Sequence, residues 1–128
     1  MAEQQITWAL TLEAAADWSA KQYHLVRQSA ANICNQASDA GNSALAGVLL
    51  NKPNAAGRFA SVGVQGISKV VAGAVITQGA ILSTNGSGRA ITVVSGAVAF
   101  GRALTAAGAD GDIISAAIFP PVRWAGAP

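Results

Sequence analysis

"RFASVGVQGISKVVAG", residues 58–73, decides the fold. Ala60, Val62 and Val64 alternate with other residues up to Gly66, and apolar positions resume beyond it at Ile67 and Val70. Alternation of this kind is strand periodicity. A glycine inside such a run marks a bulge or a close backbone approach. The stretch therefore reads as a bent pair of strands, 58–66 and 67–73, in the core of a sheet. Val62, Val64, Ile67, Val70, Val75, Ile76, Ile81 and Leu82 are its core candidates. Lys69 is the one charged side chain between residues 63 and 79, so this segment builds a core and does no chemistry.

Short strands of the same character surround it: "QYHLVRQ" (22–28), "NICNQA" (32–37), "ALAGVLL" (44–50), "GAILST" (79–84), "GRAITVV" (88–94), "VAFGRALT" (98–105) and "DIISAAIF" (112–119). "NKPNAAG", "TNGSG" and "GADGD" separate them with residues that favour turns. The pattern predicts an all-β protein, a small β-barrel or sandwich of short strands. "LEAAADWSAK" (12–21) is the one candidate helix and reads equally as an extended lead-in. At an offset of 54 residues, Gly47, Leu50, Ala55, Gly57 and Ser61 match Gly101, Leu104, Ala109, Gly111 and Ser115. The shared frame of strand, Ala-x-Gly turn and strand suggests two similar β units.

The ends differ from the middle. Trp8 and Trp18 precede the first of these strands and Trp124 follows the last. "ITWALTL" (6–12) puts Ile6, Trp8, Leu10 and Leu12 on one side of a terminal strand. Such a strand either closes its own sheet or adds to a neighbour's edge. "PPVRWAGAP" (120–128) is limited by proline and reads as an extended tail anchored by Trp124. The expected organisation is an N-terminal arm over 1–21, a β domain over 22–119 and a C-terminal tail over 120–128. Ile6, Trp8, Leu10, Trp18 and Trp124 are the candidate partner-binding residues, because tryptophan concentrates at interface centres.

Charged residues make up only 11% of the 128-residue chain, against about 25% in ordinary domains. A surface so poor in charge is expected to be covered by other protein, which points to an oligomer or assembly component. Glu3, Glu13 and Asp17 fall in the first twenty residues with no Lys or Arg. The eight basic residues follow, scattered singly, which gives no track for nucleic acid. No secretory signal is read at "MAEQQITW", and "VVAGAVI" (70–76) is far below the ~20 residues of a membrane helix. A single cysteine gives no sign of an oxidising compartment.

Catalytic templates are missing. His24 and Cys34 are one each, too few for a metal cluster, and no third group supports a Cys–His pair. Asp17 or Asp39 could complete a triad on paper, but there is no GxSxG turn. "GVQGISK" lacks the spacing of a phosphate loop. Asp110 and Asp112 are too few for calcium. Tyr23 with Arg27 is the lone pair suited to base stacking. No enzyme, cofactor or metal is expected.

"DWSAKQYHLVRQ" (17–28), "ALAGVLLNKPNAAGRFASVGVQGISKVVAGAVITQGAILSTNGSGRAI" (44–91) and "VAFGRALTAAGADGDIISAAIFPP" (98–121) resemble the capsid decoration, or cement, proteins of tailed bacteriophages. The similar family pairs GVL-x-NKP-x-AG, here from Gly47 to Gly57, with G-x-(S/T)KV-x-AG, here from Gly66 to Gly73. A third element, G-x-AL-x-AA-x-AGD-x-I, is approached here by "GRALTAAGADGDI", from Gly101 to Ile113, with Asp110 and Gly111 in the reverse order. The likeness covers roughly residues 15–120; the "ITWALTL" arm and the Trp124 tail have no counterpart in it. The resemblance implies a β-rich homotrimer without enzymatic activity. It would be made in the host cytoplasm, sit on the outside of a phage head, and bind where major capsid protein subunits meet. The alternatives are another virion β-module, from a tail or baseplate, and a non-enzymatic ligand-binding β-barrel.

Overall fold

A computed structural model describes residues 4–37, 45–94 and 96–123. The described residues form nine strands: β1 Gln5–Ala14, β2 Leu25–Ala30, β3 Ile33–Gln36, β4 Leu45–Leu49, β5 Phe59–Val71, β6 Ile81–Thr84, β7 Ala90–Thr92, β8 Val98–Ala103 and β9 Ile113–Arg123. No helix occurs among the described residues. The stretch 12–21 is the end of β1 followed by a turn, in which the Asp17 carboxylate accepts from the Ser19 N–H (3.0 Å) and Oγ (2.7 Å).

Residues 58–73 form one strand where sequence suggested two. β5 keeps its pairing through Gly66, which holds φ at 127°. A Cβ at Gly66 would overlap the Gln5 carbonyl oxygen. The glycine thus bends the strand without breaking the ladder. Gly63 pairs with both Ala9 and Val48, and Gly66 with both Ile6 and Ile118. So β1 lies along one edge of β5, while β4 and then β9 share the other.

The sheet order is β1-β3-β2-β4-β5-β9-β8-β6-β7, and β1 also pairs with β5. That extra pairing closes β1-β3-β2-β4-β5 into a ring. The strands β5-β9-β8-β6-β7 curl the same way, and a bridge between Ala72 and Ala90 ties β7 back to the end of β5. The architecture is all-β, with small rings of the size the turn spacing suggested.

The two rings are copies of one unit, and β5 belongs to both. β1, β2, β3, β4 and the first half of β5 recur as the second half of β5, then β6, β7, β8 and β9. Val48↔Gly63 and Leu49↔Val62 recur as Arg102↔Ala117 and Ala103↔Ala116. Leu12↔Ala60 recurs as Val70↔Ile114. The parallel pair Ala14↔Cys34 recurs as Ala72↔Ala90. The Leu50 N–H donates to Ser61 O at 2.8 Å, as Leu104 does to Ser115. The turn glycines Gly57 and Gly111 sit at φ 85° and 96°. The weak sequence echo therefore marks a structural duplication.

The cores are duplicated too. Leu12, Val26, Cys34, Leu49, Ala60 and Val62 fill the first ring; their counterparts Val70, Leu82, Ala90, Ala103, Ile114 and Ala116 belong to the larger core of the second. Among the core candidates, Val75 is 70% exposed: the next residue, Ile76, takes the inward place and exchanges backbone hydrogen bonds with Ala107. Ile67 and Ile81 are half-buried, and the other five are buried.

β9 also runs further than its prolines suggested. It passes Pro120 and Pro121 to reach Arg123, pairing Val122 with Ala99 and Arg123 with Val98. The two prolines fall between paired residues, at a register shift, where no N–H is needed.

Two buried titratable groups respond to this packing. Burial pushes the Cys34 thiol above its ordinary range. His24 is held below the usual imidazole value, first by desolvation and then by the positive charges of Lys21 and Arg89. Its Nδ1 lies 3.2 Å from Gln22 O, and its Nε2 is buried without a partner. A folded-state pKa below the unfolded one means the unfolded chain takes up the proton more readily. Stability is then retained above the unfolded value near pH 6.5 and falls as pH drops below it. Urea titrations between pH 7.5 and 5 should show this loss, and His24→Gln should flatten it. An unchanged pH slope in that variant would contradict the assignment.

Candidate attachment groove

The first ring is open along one side. β1 holds β3 only at Glu13 and Ala14, so among the described residues its outer edge from Gln5 to Leu12 carries no strand. Across the gap lies the exposed end of β2. Between them is a groove of about 510 Å³. Trp8 and Leu10 of β1 form one wall and Gln28, Ser29 and Ala30 of β2 the opposite one, with Ala46, Val64 and Pro121 among the residues between them. None of the lining residues is charged.

Local register explains which residues of the N-terminal strand reach this groove. Shifts between Ile6 and Trp8, and again between Trp8 and Ala9, break the simple alternation of β1. Ile6 packs against the larger core, whereas Trp8 is left 46% exposed at the groove. Leu10 both lines the groove and packs on the smaller core. Trp18 lies elsewhere on that core, its backbone N–H bonded to Pro53 O at 2.9 Å. The structure thus brings Trp8 and Leu10 together and sets Ile6 and Trp18 apart. Trp124 lies outside the described residues, as does Asp39.

Sequence reading missed the rest of the groove. Val64, a core candidate, is 4% exposed and also forms part of the groove wall. Ala46 gave no signal alone. Its counterpart in the repeat is Phe100, and that contrast between small and large at matched positions was available in the sequence.

Arg89 and Asp110 pair at 2.7 Å between two turns of the second ring. The Lys69 ammonium sits 5.7 Å from the centre of the Tyr23 ring. Among the described residues, no three His, Cys, Asp or Glu side chains converge as a metal group would require.

A duplicated, charge-poor β fold, with an uncharged groove beside a strand edge that is unpaired among the described residues, suits a protein that holds other protein. Its sequence places it more closely: the family model for phage cement proteins matches residues 2–118, and the chain belongs to that family. Its role is structural, as a decoration component of the phage head that binds the capsid. The fold is similar to the solved structure of the N base of head fiber gp8.5 in bacteriophage phi29. The TM-score is 0.64 at 20% identity, over 87% of this chain and 92% of that one. No curated protein matches the chain.

Proposed function

We propose that the chain coats the outer surface of the head as a homotrimer and clamps the major capsid protein where its subunits meet, without catalysis. It would be made in the host cytoplasm and added to the assembled shell. The observation that carries this reading is the uncharged groove at Trp8 and Leu10, beside an edge of β1 that is unpaired among the described residues. Ligands that bind only the assembled state stabilise it by mass action. Repetition around a symmetry axis turns modest contacts into tight retention. Trp8 and Leu10 touch the shell directly in this account. Ile6 and Trp18 hold the strand and its following loop from the two cores, and Trp124 is assigned to the same contact from sequence alone.

Removing the whole arm is the wrong test, because Leu12 and Ala14 belong to the buried core and β1 closes the first ring. Trp8→Ala is cleaner. Loss of a central aromatic anchor costs about 2 kcal/mol or more, roughly thirtyfold in affinity. Cosedimentation of the variant with undecorated expanded shells should show that drop, while light scattering should still report a trimer. Full occupancy at wild-type concentration would remove Trp8 from the contact.

A further inference from the structure

The duplication shows how the fold itself closes an opening of this kind. Thr7, Trp8 and Ala9 of β1 correspond to Gln65, Gly66 and Ile67 of β5. In β5, the edge facing away from β9 is covered at these residues. Trp8, Ile6 and Gln5 pair with Gln65, Gly66 and Ile67, in antiparallel sense. Gln4 extends the cover, accepting from the Lys69 N–H at 2.9 Å and donating to Ser68 Oγ at 3.3 Å. Ile6 packs on the larger core from this strand. The equivalent edge of β1 is bare among the described residues. The second ring is also filled from within: Phe100 is 1% exposed where the first ring has Ala46. So the same unit occurs twice in one chain, once closed and once open on the same side.

We propose that the open side of the first ring is completed by an extended, uncharged segment of the capsid shell. It runs antiparallel to β1 over Thr7–Ala9 and lowers a branched aliphatic or aromatic side chain into the groove over Ala46. This rests on the attachment reading above and deepens it by giving the partner's conformation, polarity and anchor. Backbone pairing supplies affinity in strand addition, and the side-chain socket supplies selectivity. The lining offers no opposite charge to an acidic or basic anchor, which would lose hydration against Ala46, Val64 and Pro121 without an ionic partner. A second copy of the chain fits less well. The strand that performs this closure in the second ring is β1, and in any second copy β1 is already held by β5 from Gln5 to Glu13.

Two substitutions in the full chain test the proposal on undecorated expanded shells. Ala46→Phe puts into the first ring the residue that fills the second. Ala30→Glu places a carboxylate in the same space from an exposed position on the rim, so its effect does not depend on repacking a core. Each is expected to lower shell affinity at least tenfold, with Ala30→Glu melting at the wild-type temperature. A photo-crosslinking residue in place of Gln28, on the groove wall, should then capture a peptide of the major capsid protein on decorated shells. Folded variants that decorate shells as the wild type does would overturn the proposal while leaving attachment itself intact. Crosslinks confined to a second copy of this chain would also overturn it. Wild-type protein that fails to bind shells at all would instead sink the attachment reading, and this inference with it.

Discussion

Phe100→Ala is expected to lower the unfolding free energy by about 3–5 kcal/mol, with a fall in Tm of roughly 10 °C or more. Among the described residues Phe100 is the largest fully buried side chain, and it belongs to the larger core with Val98 and Ile118. The walls around it cannot close in. β8 is pinned by β6 at Leu82↔Gly101 and by β9 at Gly101↔Ile118. A cavity in a pinned wall keeps its volume, and the cost of such truncations rises with the volume left behind. The matched site in the first ring carries alanine, so the fold itself tolerates a small residue there; what the second ring loses is packing already built around the phenyl group. Urea unfolding of the variant checks this. A loss below 1 kcal/mol would mean that β8 relaxes more freely than its ladder suggests.

Gly66→Ala is expected to cost at least about 3 kcal/mol by a different route. The residue sits at φ 127°, where an L side chain is strained by about 1–3 kcal/mol. The added methyl also meets the Gln5 carbonyl oxygen and, at 2.9 Å, the Ile6 Cα and Thr7 nitrogen. These are backbone atoms of the strand laid across it, so the clash is relieved only by lifting β1 from β5. Hydrogen exchange should therefore show protection falling first in the N-terminal half of β1, with β8 and β9 still protected. Uniform loss of protection would argue instead that the two rings unfold together. Gly63 serves as a control: a methyl there meets only side-chain carbons of Ile6 and Leu50 at 3.2 Å, and a smaller penalty is expected.

Sequence and structure agree best where burial sets the pattern. The alternation around Val62 and Val70 located both halves of β5, and turn residues such as Gly57 and Gly111 located the hairpins. What stayed hidden was pairing at a distance. Nothing local in "ITWALTL" says that its strand lies on residues 59–67 and closes a ring. Nothing in Gly66 alone distinguishes a break between two strands from a bend within one. The groove was legible in part: an exposed tryptophan on a terminal strand was the signal for Trp8. Its far walls, at Ala30 and Pro121, come from segments brought together by topology. The prolines misled because proline stops a ladder only where an N–H is required, and β9 passes them at a register shift.

The shared strand also governs how the molecule carries force. β5 runs unbroken from one ring into the other, flanked by β1 from Phe59 to Ile67 on one side, and on the other by β4 at Val62 and Gly63 and by β9 from Gly66 to Val71. Tension applied along it loads many inter-strand hydrogen bonds at once and in shear, so they are not peeled one at a time. Load passed between partners held at the two rings would therefore meet a stiff tie rather than a hinge.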